Sequence, residues 1–260
     1  MKVKYETLNS IFKKGPILSG TNSSVIGDSL MLIPHPDDES LACGGTIALL
    51  RENGFSVHIV IVTDGSMSHP NSESYPPERL RILREQEAKK ALNILGVSTD
   101  SIRFLGLPDS KMDKLDITSF QKNSKLLQEY ILEIKPKTIF LPWREDPHPD
   151  HIATWKLSMD AIRSLFNING FQTRVLEYPV WFWERTDVSE LTHGNGVSLW
   201  KIEIEDKLAY KKRAIDQHAS QLGEIIKDDP NGFTLSDEML KHFSHPEELF
   251  FEYTDIRKEC

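Results

Sequence analysis

Residues 29–54, SLMLIPHPDDESLACGGTIALLRENG, decide the class of fold. Ser29 to Pro34 is a short apolar run that reads as a strand, HPDDES is a polar turn, and LACGGTIALLREN is a helix that Gly54 stops. The next stretch, Phe55 to Thr63 (FSVHIVIVT), is β-branched and almost unbroken in its apolar character, as expected of a strand covered on both faces.

The alternation continues outward from there. After the loop TDGSMSHPNSESYPP a helix is expected from Pro77 to Leu95, opened by proline and closed at Gly96. A strand from Ser101 to Leu105, a helix from Ile117 to Ile134 and a strand from Lys137 to Pro142 (KTIFLP) follow. The loop WREDPHPDH then leads into a helix from about Asp150 to Phe166. Such alternation implies an α/β fold, a single Rossmann-like domain with a mostly parallel sheet and helices on both faces. Residues 1–28 form a polar lead and 29–260 the domain. Beyond Gly170 the pattern shifts to shorter pieces, RVLEYPVWFW and GVSLWKIEI, then a helix from Lys207 to about Leu222 and the aromatic segment ELFFEY, all taken as one continuing domain.

Composition narrows the functions. With 39% hydrophobic and 27% charged residues the chain is globular rather than disordered. Acidic residues outnumber basic ones by 39 to 31, a balance that argues against nucleic acid or an anionic membrane as partner. No apolar run approaches the roughly 20 residues that span a bilayer, so no membrane anchor is expected. The start of the chain lacks the apolar core and small-residue cleavage site of a signal peptide, which reads as cytoplasmic. Cys43 and Cys260 are the only cysteines, so no disulfide framework supports the fold, and Cys43 is expected to be a buried, inert thiol.

Two polar clusters carry the chemistry. His35-Pro36-Asp37-Asp38-Glu39 sits at the carboxyl end of the first strand, and His148-Pro149-Asp150-His151 just beyond the end of the fourth. In a doubly wound sheet of order 3-2-1-4-5 these strands are neighbours, and the crevice outside their carboxyl ends is the expected ligand site. Two histidines and one carboxylate with an open position make a catalytic zinc set. Spacing lets His35 and Asp38 converge on a metal while Asp37 points elsewhere, and either His148 or His151 can be the third ligand. Asp37 is then the candidate general base. The non-ligating histidine can supply a proton or an oxyanion donor, held in its tautomer by Asp150. A helix start explains the acids through capping and the helix dipole, but neither His35 nor the second cluster.

PHPDDE at 34–39 and HPDH at 148–151 resemble the PIG-L/LmbE-like N-acetylglucosaminyl deacetylases. VTDG at 62–65, R-x-x-E-A-x-x-A-x-x-x-L-G from Arg84 to Gly96 and K-x-x-A-x-x-x-H-x-S-Q from Lys211 to Gln221 are similar to further features of that family. The resemblance implies zinc, one per chain, on His35, Asp38 and His151, with Asp37 as general base and His148 assisting the transition state. It implies a metal-dependent hydrolase removing an N-acetyl group from an N-acetylglucosamine-type small-molecule substrate. The alternatives are a zinc-dependent amidase or deacylase acting on a non-sugar or thiol-conjugate amide, and a non-catalytic metal-binding module. The latter fits less well, because structural zinc is closed by four ligands. His and carboxylate ligands also accept iron, cobalt or manganese, and homo-oligomeric assembly is left open.

Three residues are candidate substrate contacts. Arg84 and Glu87 fall within the apolar stripe of their helix, where charges need partners; they pair with each other, or Arg84 reaches a substrate hydroxyl. Asp64 lies at the same sheet edge as the zinc set and is either a turn residue or an acceptor in the pocket wall. Trp143 beside the second cluster suits the apolar face of a sugar. Trp181 and Trp183 read as packing residues on one face of a strand, His58 as structural, and His218 as a satisfied core histidine.

Overall fold

The computed structural model describes residues 13–18, 20–184 and 196–253, and Cys260 lies outside them. Among the described residues eight strands form one sheet: β1 (Lys13–Leu18), β2 (Ser29–Ile33), β3 (Val57–Thr63), β4 (Ile102–Leu107), β5 (Thr138–Pro142), β6 (Arg174–Tyr178), β7 (Val197–Glu203) and β8 (Glu247–Tyr253). Their order is β1-β7-β8-β6-β5-β2-β3-β4, and every pair is parallel except those made by β8. The expected 3-2-1-4-5 arrangement is therefore present as β4-β3-β2-β5-β6. Residues 13–18, within the polar lead, add an edge strand to the same sheet by pairing with β7.

The helices are α1 (Asp38–Glu52), α2 (Pro77–Ile94), α3 (Ile117–Ile134), α4 (Pro149–Asn169), α5 (Leu208–Ile215) and α6 (Asp237–His242). Strand alternation divides them into two layers. Met31, Ile33, Ile59 and Ile61 pack toward α1, α2 and α5, whereas Leu30, Leu32, Val60 and Val62 pack toward α3 and α4. Both faces of β2 and β3 are thus covered, which is why these strands read as continuous apolar runs. Among the described residues no helix is long and apolar enough to cross a membrane.

Two expectations are corrected beyond Gly170. The helix from Lys207 stops at Ile215 rather than Leu222, because tight turns bring the Ser220 N–H (2.9 Å) and hydroxyl (2.6 Å) onto the buried Glu87 carboxylate. Glu87 is therefore partnered by Ser220, not by Arg84. The strand in RVLEYPVWFW ends at Tyr178, before Pro179, which has no N–H for the ladder, and residues 181–184 coil into a 3-10 turn. Trp181 and Trp183 consequently face different surroundings instead of sharing a strand face.

Helix α1 is buried over Asp38 to Leu50, and two glycines permit that. A Cβ on Gly45 would lie 2.6 Å from Ile204 Cβ, and one on Gly44 would lie 3.1 Å from Lys211 Cγ. In an open helix Gly→Ala stabilises by about 1 kcal/mol. Here Gly45→Ala is expected to destabilise by about 1–3 kcal/mol through overpacking. Thermal unfolding checks the sign, since a raised midpoint would mean Ile204 has room to move.

Candidate metal centre and active site

Strands β2 and β5 pair in register, Leu30 opposite Ile139 and Met31 opposite Phe140. Their chains then leave to opposite faces, β2 into α1 and β5 into α4. This is the topological switch point, where the crevice opens. The Pro34 carbonyl accepts from Thr63 N–H (2.9 Å) and hydroxyl (2.8 Å), tying the ends of β2 and β3 together just before His35.

Three donor atoms converge in the crevice. His35 Nδ1 is 3.3 Å from Asp38 Oδ2 and 3.3 Å from His151 Nε2, and His151 Nε2 is 3.2 Å from Asp38 Oδ2. A tetrahedral ion with bonds of about 2.0–2.1 Å requires ligand atoms about 3.3–3.4 Å apart, so the triangle has the edges such an ion needs. Two further triplets gather within 4.8 Å, His35 with His148 and His151, and His35 with Asp109 and Asp150.

The outward nitrogens are oriented by carboxylates. His35 Nε2 lies 3.2 Å from Asp150 Oδ2 and 3.4 Å from Asp109 Oδ1, and His151 Nδ1 lies 3.4 Å from Asp146 Oδ1. At 3.4 Å the last contact is electrostatic rather than a well-formed hydrogen bond. Both arrangements place the ring proton outward and a lone pair toward the triangle, as metal-ligating histidines require. Burial opposes charge on His151, yet Asp38 and Asp146 push it up to about 9. Burial likewise works against charge on His35, but Asp109, Asp150 and Asp38 raise it well above its ordinary value. Asp38, which burial would raise, is held well below the carboxylate range by His151 and His35. Two imidazoles and an ionised carboxylate meeting at one buried point suit a cation.

Asp37 and His148 flank the triangle without belonging to it. Asp37 has φ 149° and ψ −30°, and its Oδ2 lies 3.2 Å from Arg84 Nη2. Burial, only partly offset by Arg84, raises it to about 6. His148 is the N-cap of α4 and its ring meets His35 edge-on at 4.8 Å. Burial, with His35 and His151 beside it, pushes it down to about 4. Both border a cavity of about 180 Å³ whose far wall is apolar, with Trp181 stacked on His148 at 5.9 Å and meeting Phe233 at 5.5 Å.

Several expected contacts stand elsewhere. The Asp150 carboxylate does not reach His148; it accepts from Ser110 N–H (2.7 Å) and Met112 N–H (3.2 Å) and orients His35, while the Asp150 backbone N–H donates to His148 Nδ1 at 3.2 Å. Arg84 borders the cavity but donates to the carbonyls of Gly65 (2.9 Å) and Pro36 (2.8 Å), clamping two loops. Asp64 is a turn residue whose Oδ1 accepts from Ser66 N–H at 3.0 Å. Trp143 is buried at 1% exposure, donates to the Tyr253 hydroxyl at 2.9 Å and does not border the cavity. Trp181 borders the cavity instead. Missed altogether were Asp109, whose LPDS follows β4 at the same sheet edge, and Asp146, an acid two residues ahead of His148. Asp146 Oδ1 faces His151 and accepts from His148 N–H (3.1 Å), while Oδ2 accepts from Val180 (3.2 Å) and Trp181 (3.0 Å) N–H groups.

A carboxyl-edge crevice with three converging donors, and with a carboxylate and an imidazole beside them, is the arrangement of a metal-dependent hydrolase. The family model for the GlcNAc-PI de-N-acetylases (PIG-L) matches residues 30–162, and the chain belongs to that family of hydrolases acting on amide bonds. It is 28% identical over 222 residues to the "Probable N-acetyl-alpha-D-glucosaminyl L-malate deacetylase 2" of Bacillus anthracis, covering 82% of this chain and 91% of that protein. It is 28% identical over 208 residues to the diacetylchitobiose deacetylase of Thermococcus kodakarensis, covering 76% of this chain and 71% of the relative. The fold is similar to that of N,N'-diacetylchitobiose deacetylase from Pyrococcus horikoshii, with TM-score 0.65 and 21% identity over 90% of this chain and 86% of that one.

Proposed function

We propose that this protein removes the N-acetyl group from an N-acetylglucosamine-type substrate, with zinc held by His35, Asp38 and His151. The observation that carries the reading is the 3.2–3.3 Å donor triangle with Asp37 and His148 beside it. Held by those three residues, zinc would supply Lewis acidity and would lower the pKa of a water. Asp37, raised to about 6, accepts the proton of the attacking water and releases it to the departing amine. His148 accepts the Asp150 N–H at Nδ1, so its neutral ring carries the proton on Nε2. That N–H is a donor for the negative charge that develops on the amide oxygen, which makes His148 an oxyanion partner rather than a proton source. Trp181 offers a flat apolar face for the sugar ring, and Arg84 keeps the Asp37 loop closed.

Acetate release is measured on N-acetylglucosamine, its glycosides and diacetylchitobiose, with and without chelator. Release from at least one of them, lost with chelator and restored by zinc, is expected. Release from none, with turnover of a non-sugar amide, would replace the sugar reading by a general amidase.

A further inference from the structure

The conformation of Asp37 needs an explanation that the metal triangle does not provide. Of the non-glycine residues with positive φ among those described, Ser110 (60°) and Lys135 (46°) occupy the ordinary left-handed well, whereas Asp37 at 149° lies outside it. Such a backbone is strained and persists only where its surroundings over-determine it. One restraint is already visible, the Arg84 bond to the Pro36 carbonyl at 2.8 Å. The other comes from Glu39.

Glu39 is fully buried, and its Oε2 accepts the Asp37 N–H at 2.9 Å. A buried carboxylate must be partnered on its other oxygen as well. Oε1 accepts from the Ser40 hydroxyl (2.8 Å) and lies 2.9 Å from His218 Nε2, a residue 179 positions further along the chain. His218 is itself 1% exposed, and its Nδ1 has no partner among the described residues, so all its hydrogen bonding is aimed at Glu39 and Ser40. The tight turns after α5 bring His218 to this point. A role for Glu39 in complementing the helix dipole explains a negative charge at the start of α1 but not a cross-chain donor.

We propose that His218 is a positioning residue for the deacetylation: through Glu39 it holds the strained Asp37 main chain in the conformation that presents the base. The inference rests on the reading of Asp37 as that base. A second buried ion pair, Lys211 with Glu248 at 2.7 Å, serves as an internal comparison. Glu248 accepts the Gly45 (2.8 Å) and Thr46 (2.7 Å) N–H groups further along α1, away from Asp37.

The test compares His218→Leu, His218→Gln, His218→Asn and Lys211→Met in the zinc-loaded protein, measuring kcat, KM, metal per chain and thermal midpoint. His218→Leu is expected to lower kcat by about 10- to 100-fold, the scale of a misplaced reacting group. KM stays within about two-fold, since substrate binding is untouched, and metal content is unchanged. Gln carries a donor with the reach of Nε2 and restores kcat, whereas Asn is too short and does not, a contrast that survives if the leucine variant fails to fold. Lys211→Met lowers the midpoint at unchanged kcat. A His218→Leu protein that loses stability like Lys211→Met but keeps full kcat, or equal kcat for Gln and Asn, overturns the inference. Turnover that survives Asp37→Asn would instead remove the base itself, a distinguishable failure.

Discussion

Asp37→Asn is expected to lower kcat by about 100- to 10,000-fold, the range contributed by a positioned general base. The substitution is nearly isosteric. Asn retains the backbone N–H that Glu39 holds at 2.9 Å and an oxygen able to face Arg84, so the loop keeps its shape. Asparagine also tolerates positive φ better than most residues. What disappears is the ability to take a proton. Because Asp37 is not one of the three converging donors, metal content per chain is expected to stay the same. Steady-state kinetics with metal analysis on the same sample checks both halves. Full activity in this variant would remove Asp37 from the chemistry, and loss of metal would make it a ligand.

Removing the metal is expected to make the protein's stability fall as pH rises above neutral, where the loaded protein stays level. His151 sits at about 9 in the folded protein, above its ordinary value of 6.5. A raised histidine contributes stability that is complete below the unfolded value and is lost as pH rises through the folded one. The metal-free protein should therefore lose thermal midpoint between about pH 6.5 and 9. The loaded protein should hold its midpoint over the same interval, because the ion binds more tightly as protons leave the His35 and His151 lone pairs and so offsets that loss. Other titrating groups are common to both samples and cancel in the difference. Differential scanning calorimetry of chelated and zinc-loaded protein reads it directly, and parallel curves would place the ion away from His35 and His151.

How much could be read in advance depended on where the information lies along the chain. The sheet core was legible because β2, β3 and β5 are buried on both faces, which leaves unbroken apolar runs, and because each runs straight into a polar turn. The two clusters were legible because each packs its chemistry into four or five consecutive residues at a strand end. Asp146 was present in the text of REDPHPDH, yet its task depends on contacts to Val180 and Trp181 that only the fold creates. Trp143 and Trp181 exchanged roles for a related reason. Trp143 continues β5 by donating its N–H to the Tyr178 carbonyl at 2.8 Å and so turns its ring into the core, while the proline at 179 frees Trp181 to face the cavity. The wall carried by residues 220–239 has no periodic signal, because turns held by side-chain bonds build it.

The anchoring of that wall has a practical bearing on redesign. Trp181 is fixed by its N–H to Asp146 at 3.0 Å, and Phe233 by its N–H to the Ser68 carbonyl at 2.7 Å. Their main chains are secured while their side chains line the cavity. A saturation library at positions 181 and 233 can therefore resculpt the substrate range while leaving His35, Asp38, His151 and Asp37 in place, with Trp181 variants also changing the ring stacked on His148. Positions 146 and 232 should be left out of such a library. Asp146 holds His151 as well as the wall, and Gly232 packs so closely on His69 that no side chain fits between them.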